Sequence, residues 1–104
     1  MQIIVSSRHT EVPPALNECV HDKIGRLERY DHEVRVARVH FTSEATVRAA
    51  DREQCEVILE ANGDKFVCKV AARDGFAAVD LAVGKLEQQL SRSRTRRLGR
   101  TRQG

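Results

Sequence analysis

The chain has no tryptophan, one tyrosine and three phenylalanines among its 104 residues. Aromatic platforms for stacking a run of single-stranded bases are therefore lacking. Its three cysteines form no CxxC pair and leave an odd thiol over, which argues against a disulfide framework or a zinc site. Reduced thiols in a cytoplasm are the simplest reading. The four histidines, His9, His21, His32 and His40, show no HxxxH or HExxH spacing. There is no P-loop and no glycine-rich phosphate cradle. No apolar run approaches the ~20 residues that span a bilayer. The start, Met1-Gln-Ile-Ile-Val-Ser, lacks the basic and apolar regions of a secretory signal. These absences speak against an enzyme, a metal or organic cofactor, a small-molecule substrate and a membrane partner.

What is present is charge. Eighteen Lys+Arg stand against fifteen Asp+Glu, a net of +3. Residues 91–104 hold Arg92, Arg94, Arg96, Arg97, Arg100 and Arg102 and no acid, so the body is mildly acidic and the C-terminal end strongly basic. Such a block is either a solubilising tail or a segment that orders on a polyanion. Composition alone leaves both open. The length suits one domain that hides about 60–65% of its unfolded surface.

Residues 2–7 alternate Ile3 and Val5 as a strand does. Pro13 and Pro14 can open a helix, where a missing N–H costs nothing. Leu16, Cys19, Val20, Ile24 and Leu27 then form one apolar stripe, and the helix should end near Tyr30-Asp31. Residues 34–42 read as a second strand with a phase shift, hence a bulge, near Val36. Residues 43–53 lack a clean period and read as a long, mobile connection.

Asn62-Gly63 is a preferred type I′ hairpin turn, because both central positions need positive φ. It sets Leu59 opposite Phe66, Val57 opposite Cys68 and Cys55 opposite Val70 on one face. On the other face it sets Glu60 opposite Lys65, Ile58 opposite Val67 and Glu56 opposite Lys69. Cys55 and Cys68 are then core filler, as is Cys19 on its helix. Asp74 is placed to N-cap a last helix whose core stripe is Phe76, Val79, Val83, Leu86 and Leu90. Packing should end near Leu90, with the helix free to run on into the arginines.

The expected architecture is α+β: order β-α-β-β-β-α, a four-stranded mixed sheet with both helices on one face. One helical crossover favours parallel pairing of the first two strands, followed by an antiparallel meander. Lys23, Arg26 and Arg29 form a diagonal row off the first helix's apolar stripe. Lys85 faces away from the core on the second helix, with Arg92 two turns further along. The rows converge if the helices pack side by side. A solvated face and a phosphate-binding one remain equally open, since Asp22 and Glu28 offset the first row. Lys65 and Lys69 are set aside because Glu60 and Glu56 face them. A nucleic-acid partner would be held by phosphate contacts and shape, as suits structured RNA.

Several segments carry a resemblance. Ser6-Ser7-Arg8 with Glu11-Val12, Lys23…Arg26-Leu27-Glu28-Arg29-Tyr30, Asp74-Gly-Phe-Ala-Ala-Val-Asp80 and Lys85-Leu-Glu-Gln-Gln-Leu90 resemble the bacterial ribosome hibernation-promoting factors. That family includes the ribosome-associated inhibitor that binds the small subunit. The likeness covers roughly residues 2–97, and it implies a fold similar to a double-stranded-RNA-binding domain with an added strand. It implies a ribosome-binding domain over 1–97, a basic flexible tail over 98–104, and a cytoplasmic protein that is a monomer on its own. The implied partner is the small ribosomal subunit and its ribosomal RNA, bound in the decoding channel where messenger RNA and the A- and P-site transfer RNAs would sit, so that translation stops during stasis or stress. Carried over by motif, the RNA contacts are Arg8, Lys23, Arg26, Arg29, Lys85 and Arg92. Gln88 stands where many members have arginine, and Arg94, Arg96 and Arg97 offer compensation. Phe76 replaces a common tyrosine, and Ser7 a frequent glycine. The rival readings are a protein-interaction module, using a sheet edge or the 43–53 segment, and a general binder of structured RNA.

Overall fold

The computed structural model describes residues 1–30 and 33–103, with side chains described as far as Ser93. The elements are β1 (Gln2–Arg8), α1 (Pro14–Gly25), a 3-10 turn (Arg26–Arg29), β2 (Val34–Ser43), β3 (Glu53–Ala61), β4 (Asp64–Ala72) and α2 (Gly75–Gln103). The sheet order is β1-β2-β3-β4. β1 and β2 are parallel, and β2–β3 and β3–β4 are antiparallel. This is the expected β-α-β-β-β-α arrangement.

The hairpin register is the one the turn dictates. Asn62 and Gly63 both take positive φ, 38° and 89°. Leu59 pairs with Phe66, Val57 with Cys68 and Cys55 with Val70. All six side chains are buried on the face that the helices cover. The β2 register slips between Val34 and Val36. The slip lets both Val34 and Ala37 turn inward although they are three apart.

Asp74 caps α2 by accepting the Ala77 N–H at 2.8 Å. Ala78, Val79, Ala82, Leu86 and Leu90 are buried from this helix, and Ser93 extends the contact nearly one turn past Leu90. α2 continues as helix through position 98 to Gln103.

The sequence expectations need four corrections. Phe76, assigned to the core, is 45% exposed. It sits in the first turn of α2, where Gly75 fills the close approach to α1: a Cβ there would lie 2.6 Å from Leu16. The first helix leaves the α form at Gly25 and tightens into the 3-10 turn, as helix ends often do. The 43–53 segment is shorter than read and partly regular. Ser43 and Glu53 close the β2–β3 ladder, with Ser43 Oγ donating to Glu53 Oε1 at 3.0 Å. Between them Ala49–Asp51 form a single 3-10 turn, and Arg48 pairs with Asp51 at 3.0 Å. Finally, Glu60 lies opposite Lys65 but its ion pair is with Arg38 of β2, at 3.6 Å. Among the described residues Lys65 and Lys69 have no carboxylate partner, so the ground for discounting them falls away.

Candidate nucleic-acid interface on the helix layer

Two contacts tie the helices together. Lys23 Nζ of α1 donates to Asp80 Oδ1 of α2. The Tyr30 hydroxyl, just past the 3-10 turn, donates to Glu87 Oε2 at 3.0 Å. Both pairs are 57 positions apart in sequence, and a constant offset means that the helices run in the same direction. Asp80 and Glu87 are two turns apart and share the edge of α2 that faces α1. The hydrogen bond to Asp80 raises the Lys23 pKa above its ordinary value. The bond to Glu87 does the same to the Tyr30 phenol.

The first basic row is thus partly engaged within the protein. Lys23 is taken by Asp80, and Arg26 folds back on Asp22 at 3.0 Å. Glu28 accepts the Met1 amino group at 2.5 Å, which removes it as a partner for the row. Arg29 is exposed with no ion pair among the described residues. These pairs lie at the surface, where water and salt compete with them, so they reduce the cationic field without abolishing it.

Lys85 and Arg92 are exposed and without carboxylate partners among the described residues. Helical geometry puts Lys85 about 160° around α2 from Glu87. Two observations agree. Gln89 on that side donates from Nε2 to the Val67 carbonyl of β4 at 3.1 Å, and the Lys85 charge acts on the Cys68 thiol. The helices do pack side by side, yet the two rows do not merge. Lys85 and Arg92 lie across the outer surface of α2 from Lys23, about one helix diameter (~10 Å) away.

Arg8 ends β1, and strand alternation puts it with Ser6 on the open sheet face, away from both helices. Beside it Ser6 Oγ and His40 Nδ1 lie 2.7 Å apart. The Arg94, Arg96 and Arg97 side chains, and the expected helix end at Asp31, lie outside the described residues, although the α2 backbone carries all three arginines.

Sequence reasoning did not find the seam contacts, because nothing local links position 23 to 80 or 30 to 87. It also passed over a hollow of about 500 Å³ lined by Tyr30, Gly84, Glu87, Gln88, Ser91 and Arg92.

Other chemistry finds few groups to carry it. Among the described residues no cluster of His, Cys, Asp and Glu could hold a metal ion. Burial pushes the Cys55 thiol up to about 12, far from the thiolate that nucleophilic work requires. Among the described residues no helix is long and apolar enough to cross a membrane.

Comparison with known proteins converges on one family. The family described as sigma 54 modulation protein / S30EA ribosomal protein matches residues 3–98. A ribosome hibernation promoting factor of Azotobacter vinelandii is 30% identical, over 96% of this chain and 89% of its own. A ribosome hibernation promotion factor of Deinococcus radiodurans is 33% identical across this whole chain, which spans 55% of the longer protein. The Thermus thermophilus Protein Y N-terminal domain superposes with a TM-score of 0.74 at 28% identity, over 88% of this chain and 98% of that domain. A ribosomal subunit interface protein from Coxiella burnetii shares the fold, with a TM-score of 0.79 at 22% identity over 91% of this chain and 99% of the other. With a match that takes in both helices' basic rows and the whole sheet, the chain belongs to the sigma 54 modulation protein / S30EA ribosomal protein family, whose members include ribosome hibernation promoting factors.

Proposed function

We propose that this protein idles ribosomes by occupancy: it binds the small subunit in the decoding channel, presses its helix layer against ribosomal RNA, and performs no reaction. Lys23, Arg26 and Arg29 on one side of α2, Lys85 and Arg92 on the other, and Arg94, Arg96 and Arg97 along its continuation supply the phosphate contacts. Arg8, on the open sheet face, meets the opposite wall of the same channel. The likeness to hibernation factors supports the partner. The observation that carries the mechanism is the outer surface of α2, bordered by exposed Arg29 on one side and by Lys85 and Arg92 on the other, none of them ion-paired among the described residues. Phosphates held this way fix position and carry no base sequence, as suits a site built on folded RNA.

Co-sedimentation with purified small subunits over a salt series tests this. With about six phosphate contacts, affinity falls roughly 10³-fold between 50 and 200 mM salt. A flat response removes the electrostatic mechanism. Equal affinity for free RNA duplexes would favour a general structured-RNA binder, and binding that survives nuclease treatment a protein-interaction module.

A further inference from the structure

The hollow beside the seam is made of unlike parts. One wall is the ring of Tyr30, half-buried and pinned by its hydroxyl to Glu87. The floor is Gly84, in the middle of α2, where a Cβ would meet nothing within 4 Å. Glycine there costs about 1 kcal/mol against alanine, and no close approach of another element requires it. The residue leaves open a space that any side chain would enter. Gln88, Ser91 and Arg92 complete the lining with an amide, a hydroxyl and a guanidinium. The hollow is shallow and open to solvent, with Gly84, Gln88, Ser91 and Arg92 all exposed, so it suits one face of a flat group and does not enclose a ligand.

We infer that this hollow receives a single unpaired nucleotide of the bound RNA. Its base lies against the Tyr30 ring over the bare Gly84 backbone, its edge and ribose reach Gln88 and Ser91, and its phosphate meets Arg92. The ring is fixed before the ligand arrives, so little side-chain freedom is lost on stacking. Glu87 accepts from the tyrosine hydroxyl and keeps its negative charge on the seam side of the hollow, so the phosphate belongs on the Arg92 side and the base against the ring. One aromatic residue cannot form a platform for a run of bases, but it suffices for one extruded base within a phosphate-anchored complex. The inference rests on the proposed binding of ribosomal RNA by the helix layer, and adds to it a contact that depends on base and shape.

The test uses the full chain and purified small ribosomal subunits, with dissociation constants measured across a salt series. Gly84→Gln fills the hollow, improves helix propensity and leaves Tyr30 untouched. Tyr30→Leu removes the π face, and Tyr30→Phe keeps it. Stacking by one base is worth enough that G84Q and Y30L should each weaken binding about 10-fold or more at fixed salt. For Y30L the salt slope should stay that of the parent, because Arg92 keeps its phosphate, whereas G84Q, which shuts out the whole nucleotide, should lower it by about 0.7–0.9. Y30F, which keeps the ring but loses its tether to Glu87, should bind closer to the parent than to Y30L, and G84Q should melt no lower. If the parent binds with a steep salt slope while G84Q and Y30L bind as well as it does, the hollow is empty in the complex and this inference fails alone. If Y30F loses as much as Y30L, the hydroxyl rather than the ring is responsible, and stacking is overturned. If the parent itself does not bind, the fault lies with the ribosomal reading beneath.

Discussion

Lys23 and Asp80 meet across the seam between two parallel helices, so the cation that begins the first basic row is already partnered before any RNA arrives. A phosphate that approaches Lys23 must share it with a carboxylate on the neighbouring helix. Replacing Asp80 with Asn should leave the thermal midpoint little changed, since the pair is solvent-exposed. It should tighten binding to small subunits at low salt, steepening the salt slope by about 0.7–0.9, the increment of one contact. Weaker binding by D80N would show instead that Asp80 aims the lysine.

Reversing Lys23, Arg26, Lys85 and Arg92 together to Glu should abolish co-sedimentation with small subunits while the cooperative melt remains. All four side chains are at the surface and none belongs to the core. Single K85A or R92A changes should each lower the salt slope by about 0.7–0.9. Retention of binding by the quadruple variant would move the interface elsewhere.

The contrast between Leu86 and Phe76 measures which part of α2 holds the fold. Leu86 is fully buried, so L86A should cost about 2–5 kcal/mol in urea unfolding. Phe76 and Leu81 are 45% and 49% exposed, and F76A or L81A should stay within about 0.5 kcal/mol of the parent. A large loss from F76A would return that ring to the core.

Gly63 takes a φ of 89°, where an L side chain is strained. G63A should destabilise by about 1–2 kcal/mol through the backbone alone, because a Cβ there meets nothing within 4 Å. Equilibrium denaturation with an unchanged m-value would confirm a local effect.

Burial raises the Cys55 pKa from 9.0 to about 12. The unfolded chain therefore releases this proton first as pH rises. The contribution to stability is whole below pH 9 and is lost as pH climbs toward 12. Lys23 and Tyr30 are shifted in the same sense by Asp80 and Glu87. Urea midpoints should fall from pH 9 upward, and C55A should make that fall shallower. Equal slopes in parent and C55A would clear Cys55 of the effect. In native protein a thiol reagent should modify half-buried Cys19 well before Cys55 and Cys68.

The hairpin was legible in sequence because two residues, Asn62 and Gly63, dictate a turn whose geometry fixes every pair beyond it. The bulge was legible because β2's apolar residues change phase, and a face cannot change without an inserted residue. Phe76 was misread because helical periodicity says which side a residue takes, while burial depends on whether anything lies beneath it. The Glu60 pairing shifted because Arg38, diagonal to it on the strand at its other side, has a side chain long enough to reach it. The basic residues of the candidate site are plain in the sequence one by one. Their division by α2, and the acids set against Lys23 and Arg26, depend on how the helices are turned, which Lys23–Asp80 and Tyr30–Glu87 reveal and no local pattern encodes.

The Gln89 amide that reaches the Val67 carbonyl has an effect beyond placing one side of a helix. Val67 lies on β4, an outer strand of the sheet, and a bare carbonyl on such a strand is what a foreign strand would use to extend it. With that acceptor occupied, and Lys65 and Lys69 exposed on either side, edge-to-edge growth into filaments is discouraged at its most apolar point. The β4 edge is thereby less open to an added strand than its length and its exposed Val67 would make it.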